Sequence, residues 1–178
     1  GGSGGGKSMT MNHMLRSLYD QGAHAVTVDI GGSYRGLCDL CGGYYFTYTE
    51  EHPIRFNPFH LAQGSGPGTE KKESLKALLV ALWKHEQQHV SRSEYVAVSN
   101  ALQGYYLMCA SRPGVFPCFD TFYEYLQTDY RALLAREEVL RGDFDLHNVL
   151  YVLRPYYCGG EFDYLLNATQ NLDLLQQR

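Results

Sequence analysis

The chain has 178 residues, 44% of them apolar, with 15 tyrosines, eight phenylalanines and a formal net charge of −4. That length suits one domain, at most with a subdomain set into it, and the apolar fraction can supply a sizeable core. The 15 basic residues are scattered and make no basic face, so composition does not support direct DNA binding.

The first eight residues, Gly1-Gly2-Ser3-Gly4-Gly5-Gly6-Lys7-Ser8, match the phosphate-binding pattern G-x-x-x-x-G-K-[ST] from first position to last. A polyphosphate has to lie against backbone N–H groups, and a Cβ would hold the backbone away. Glycines remove that obstacle and permit positive φ, so successive N–H groups can turn into one concavity. Lys7 would add a mobile charge for the β- and γ-phosphates, and the Ser8 hydroxyl can be one ligand of Mg²⁺. The competing reading is a Gly/Ser linker that runs into Lys-Ser. Against it stand a helical pattern that begins after Lys7 and the apolar run Val26-Thr27-Val28-Asp29 where a next strand belongs. A P-loop joins a strand to a helix, and no residues precede Gly1. We therefore expect the chain to be a segment of a larger protein.

Residues 9–21 read as the helix after the loop, with Met11, Met14, Leu15 and Leu18 as its buried stripe and Gly22 as its stop. Residues 25–30 read as a central strand, apolar on both faces. Asp29 closes that strand, at the end where ligands collect in open α/β sheets. There it could orient water or hold Mg²⁺ through water; equally, it could cap the turn Gly31-Gly32-Ser33-Tyr34. A short helix follows over 33–41. Its Cys38-x-x-Cys41 offers two metal ligands where a structural zinc needs four, so buried thiols are expected. With Cys109, Cys118 and Cys158 the cysteine count is five, odd and dispersed, which suits reduced thiols. Residues 44–49 alternate and read as a strand, Asn57-Pro58 as a turn, and 63–69, QGSGPGT, as a breaker-rich boundary.

Beyond that boundary the pattern is helical. A helix is expected over 70–89, and His85 and His89 on it read as surface residues. The Ser91-x-x-Glu94 capping box should open a second helix to about Ser111, and Thr121-x-x-Glu124 a third to about Arg141. A fourth should cover 146–154. The uncharged run 95–111 approaches the length of a membrane span, but it carries Ser99, Asn100, Gln103 and Gly104 and reads as a buried helix. Residues 156–164 form a loop with a glycine pair, and 172–175 are the last apolar run. No apolar run tipped with Asp or Asp-Glu follows the helical block, so the Walker B strand is expected outside the chain. The organisation is then α/β: a partial P-loop (RecA-like) NTPase core over 1–69, a helical insertion over 70–155, and a return to the core over 156–178.

Several of these stretches carry a family resemblance. Gly1-x-Ser3-Gly4-x-Gly6-Lys7-Ser8, Val28-Asp29-Ile30-Gly31-Gly32-Ser33-Tyr34, Gly42-Gly43-Tyr44 and Phe56-Asn57-Pro58-Phe59 come in an order that resembles the C-terminal ATPase domain of type IV secretion and conjugation ATPases. The TraG family of Bacteroides conjugative transposons is the nearest in pattern. The segments Leu153-Arg154-Pro155-Tyr156-Tyr157 and Gly159-Gly160-Glu161-Phe162-Asp163-Tyr164-Leu165-Leu166-Asn167 are similar too. Apart from the P-loop, each motif is weak alone; order and spacing carry the weight. The resemblance implies ATP and Mg²⁺, a hexameric or other homo-oligomeric ring, and cytoplasmic docking at the inner membrane on the channel proteins of the secretion machinery. It also implies nucleotide contacts at Gly4, Gly5, Gly6, Lys7, Ser8 and Met9. Lys7 and Asp29 are the candidate catalytic residues and Ser8 the candidate metal ligand. Arg35, Arg55 or Arg154 could reach a neighbouring subunit, with nothing in the spacing to choose among them.

Two other functions fit parts of the pattern. A P-loop metabolite kinase would need an arginine-rich lid, which the scattered basic residues do not make. A non-enzymatic interaction domain could use the aromatic helical block as a docking surface. With neither the preceding strand nor the Walker B acid, the chain alone is expected to hydrolyse ATP poorly.

Overall fold

The computed structural model describes residues 7–9, 45–48, 57–61, 66–84, 88–167 and 175–176. Three short strands, β1 (Lys7–Met9), β2 (Tyr45–Tyr48) and β3 (Leu175–Gln176), make an antiparallel sheet in the order β1-β2-β3. Lys7 pairs with Tyr48 and Met9 with Phe46, and on the other edge Phe46 pairs with Leu175. The expected strand over 44–49 is present as β2. Aromatic and β-branched residues suit such a ladder. The expected helix 9–21, strand 25–30 and short helix 33–41 lie outside the described residues, except for Met9.

The helical body contains α1 (Thr69–Trp83), α2 (Arg92–Ser111), α3 (Phe119–Tyr125), a π-helical turn (Leu126–Tyr130), α4 (Arg131–Arg136) and α5 (Leu146–Leu153). A 3₁₀ turn, Arg154–Tyr156, follows α5. α1 packs on α2 and α5, and the π turn packs on both α2 and α5. The capping box at Ser91 is as expected: the Ser91 hydroxyl accepts from Glu94 N–H at 3.1 Å, and Glu94 Oε1 accepts from Ser91 N–H at 2.9 Å. Its effect is to satisfy two orphan donors at once.

Three helix boundaries differ from the reading of the sequence. α1 stops at Trp83 rather than 89. Lys84 is extended and ion-paired with Glu94 at 2.9 Å, while the Trp83 indole donates to Asn148 Oδ1 at 2.9 Å, so tertiary partners turn the chain. α3 starts at Phe119, with Cys118 as N-cap and Thr121 at the third position. The Thr121 hydroxyl accepts from Cys118 N–H and donates to Phe116 C=O, and Glu124 is engaged by Tyr157, so the Thr121–Glu124 box does not form. α4 ends at Arg136 rather than Arg141, where Glu138 enters the left-handed region at φ 54°.

The π turn has a packing cause. In an α-helix residues five apart are roughly 140° apart around the axis. A π turn winds more slowly and brings them nearly into line. Tyr125 and Tyr130 stack across it with ring centroids 6.1 Å apart, both buried, and the Tyr130 hydroxyl donates to Ala97 C=O at 2.7 Å.

The core is aromatic, and its centre is a residue that precedes the helices. Phe59 is wholly buried against Tyr105, Phe119 and Phe122. Asn57 fixes its approach: its Oδ1 accepts from Phe59 N–H at 2.9 Å and its Nδ2 donates to Pro117 C=O at 2.7 Å. The Tyr106 hydroxyl donates to Phe59 C=O at 2.9 Å, and Lys71 donates to Pro58 C=O at 3.1 Å. At the other end Tyr156, Leu165 and Leu166 are buried in the same core. The helical body thus takes in residues 57–61 and 156–167, beyond both ends of the expected 70–155 block.

Candidate nucleotide-binding site

The residues expected to hold nucleotide divide between those the structure describes and those it does not. Lys7, Ser8 and Met9 form β1, held by backbone pairing to Tyr48, Thr47 and Phe46. This corrects one expectation: Met9 does not open a helix, because the segment is extended and takes its hydrogen bonds from β2. A helix N-terminus, which would have added its dipole to an anion site, is not formed at Met9. Gly4, Gly5, Gly6 and Asp29 lie outside the described residues, as do Arg35, Arg55, Cys38, Cys41 and His85. Donor chemistry is what fits a magnesium triphosphate here: glycine N–H groups, one ammonium (Lys7) and two hydroxyls (Ser3 and Ser8), with no acid among residues 1–8.

Arg154, the third candidate for reaching a neighbour, is exposed and lies 5.6 Å from the Tyr157 ring centroid. Around it the late motif is organised as a turn. Gly159 has φ +87°, and a Cβ on Gly160 would come 2.3 Å from Pro155 C=O, so both positions demand glycine. Three carboxylates bind the turn: Asp120 accepts from Cys158 N–H at 3.0 Å, Asp163 from Gly159 N–H at 3.1 Å, and Glu124 from the Tyr157 hydroxyl at 2.5 Å. The Glu124 bond, with some burial, pushes the Tyr157 phenol up to about 12. Burial pushes the Asp120 carboxyl above its ordinary value, and the neighbouring Glu124 and Asp163 add to it. Asn167 closes the turn, accepting from Asp120 N–H at 2.8 Å and donating to Asp163 C=O at 2.9 Å. Here the GGEFDYLLN motif is a self-satisfied fastening of the chain to α3.

Asn57-Pro58-Phe59 is likewise a packing device, wedged under α2 and α3. Asn-Pro marks a turn there, but nothing local signals that its phenylalanine is central, since its partners lie far along the chain. Among the described residues no group of three His, Cys, Asp or Glu side chains is placed to hold a metal ion. His89 is exposed, and Cys109, Cys118 and Cys158 are free thiols. No described helix is long and apolar enough to cross a membrane.

Comparison with known proteins places the pattern. The model of the TraG P-loop domain family matches residues 1–178, and the chain belongs to that family. Protein TraC of Escherichia coli (strain K12) is 41% identical over 59 residues, which is 33% of this chain and 6% of that protein. The chain therefore spans a small part of this relative's length. No solved structure matches it significantly.

Proposed function

We propose that the chain is part of an ATP-hydrolysing motor that powers conjugative transfer through a type IV secretion channel. One observation carries the reading: residues 1–8 spell a complete phosphate-binding loop in a chain that matches a P-loop family over its whole length. On this reading the complete nucleotide core is α/β and RecA-like, and the helical body is a subdomain set between its strands. The body's own continuous aromatic core supports that division.

The roles follow from donor chemistry. N–H groups of Gly4, Gly5, Gly6, Lys7, Ser8 and Met9 would line the phosphates, and the Lys7 ammonium would meet charge that develops on the γ-phosphate. Ser8 would hold Mg²⁺, which when bound supplies charge neutralisation between the β- and γ-phosphates. Asp29 would orient water near the γ-phosphate. The motor would work as a homo-oligomeric ring in the full-length protein, in the cytoplasm and docked at the inner membrane on the channel proteins. Nucleotide reaches the site as substrate, and β1 would have to release its pairing at Lys7–Met9 for a helix to start there.

A fluorescent ATP analogue titrated in the presence of Mg²⁺ tests the site. Saturable binding competed by ATP and lost in Lys7→Ala is the expected result. Equal binding by the wild type and Lys7→Ala would refute it.

A further inference from the structure

The helical body carries an apolar groove of about 550 Å³, lined by Leu61, Pro67, Leu107, Val115 and Pro117. Leu107 is exposed, at 65% of its full area. One cation, Lys72, lies on the groove wall, and its ammonium has no partner among the described residues. An aliphatic side chain flanked by carboxylates is the chemistry that such a groove accepts.

The same molecule presents that chemistry elsewhere. After α4 the chain makes a firmly bonded turn. Glu138 N–H donates to Ala135 C=O, Val139 N–H to Leu134 C=O, and Leu140 C=O accepts from the N–H groups of both Asp143 and Phe144. Val139 and Phe144 face the core, which leaves Leu140 outward and 69% exposed. Glu137, Glu138 and Asp143, all exposed, lie within three residues of it along the chain. Of the two nearby cations, Arg141 is paired with Asp145 at 3.6 Å and Arg136 remains. A leucine held out on a rigid turn pays little ordering entropy on docking.

Knob and groove cannot meet within one molecule. The Ser93 hydroxyl donates to Asp143 C=O at 2.9 Å, which fixes the turn at the start of α2. The groove is built on the other end of α2, at Gln103, Tyr106, Leu107 and Ala110. From Ser93 to Leu107 is roughly 20 Å along the helix at its usual rise. Two complementary surfaces at opposite ends of one rigid helix define a head-to-tail contact between copies.

We infer that the Leu140 turn of one copy seats in the Leu107–Val115 groove of the next, with the carboxylates beside Leu140 meeting Lys72. This inference rests on the reading of a multi-copy assembly proposed above, and it names the surface that makes it. Nucleotide binding at Lys7 is a separate property, measured separately.

Sedimentation of the whole chain tests the contact. The wild type should associate progressively with concentration. Leu140→Asp and Leu107→Asp, each checked for unchanged helicity by circular dichroism, should each weaken association by about tenfold or more. Mixed, they should form a one-to-one dimer and nothing larger, because one variant keeps the groove and the other the knob. A wild type that stays monomeric, association untouched by either substitution, or variants that fail to pair on mixing would each overturn the inference. None of these outcomes bears on the Lys7 site, for which nucleotide titration of the same samples gives an independent answer.

Discussion

Between residues 57 and 167 the chain is held by side chains. Aromatic rings meet in the interior, and buried tyrosine hydroxyls donate to backbone carbonyls. Over Lys7–Met9, Tyr45–Tyr48 and Leu175–Gln176 what is described is a backbone ladder of two and three residues. The first region stores its stability in its own core. The second holds the proposed ligand chemistry, and the six residues that lead into it include five glycines and so bring almost no side chains. A loop that must admit a triphosphate cannot be filled with apolar side chains. A body that must hold its shape has to be.

That contrast can be broken most severely at Phe59. Phe59→Ala removes the ring at the centre of the core and should cost about 3–5 kcal/mol, since the cavity is walled by residues of α2 and α3 that cannot all close in. Urea denaturation measures it, and a loss under about 1 kcal/mol would deny the residue its central place. Removal of the loop's charge should act in the opposite way. Lys7→Ala should leave the unliganded melting temperature unchanged while abolishing nucleotide-induced stabilisation.

Gly160→Ala sharpens the comparison within the helical body. Its new methyl would press on Pro155 backbone, which cannot swing aside as a side chain can, so about 1–3 kcal/mol should be lost. Thermal melting reads the change, and a neutral result would mean that the turn is looser than its bonds suggest. Ser91→Ala, which removes one half of the α2 capping box, should cost about 1 kcal/mol by the same measurement.

The tyrosines give the body a pH signature that the glycine segment lacks. Burial pushes the phenol of Tyr156 up to about 12 and raises those of Tyr105, Tyr106 and Tyr130 as well. A folded-state value above the unfolded one, near 10 for tyrosine, means stability that is intact below pH 10 and lost as pH rises toward 12. Ultraviolet absorbance should show tyrosinate appearing together with loss of helix in that window. Phenols that ionise near pH 10 while helicity persists would contradict the packing.

How much of this could be read from the chain depended on range. The α2 cap was legible because Ser91 and Glu94 are three residues apart and the box is a local device. β2 was legible from its alternation, and α5 from its apolar spacing. The end of α1 was not, because Lys84 answers to Glu94 and Trp83 to Asn148, partners that no local pattern announces. Phe59 was missed for the same reason: Tyr106, whose hydroxyl binds its carbonyl, lies 47 residues on. The π turn was signalled only by Tyr125 and Tyr130, two aromatic residues five apart in an otherwise α-helical stretch. At the candidate site, the sequence named Lys7 and Ser8 from donor chemistry, while their extended pairing with Tyr48 and Thr47 came only with the structure. A local helical pattern at Met9 lost there to a neighbouring strand.

The central claim is that residues 1–8 cradle a triphosphate, and a melting curve with Mg²⁺ and ATP tests it most directly. At about one hundred times the dissociation constant, ATP should stabilise the wild type by about 2.7 kcal/mol and Lys7→Ala not at all. A wild-type curve that does not move at any ATP concentration, or one that moves equally in Lys7→Ala, would contradict it.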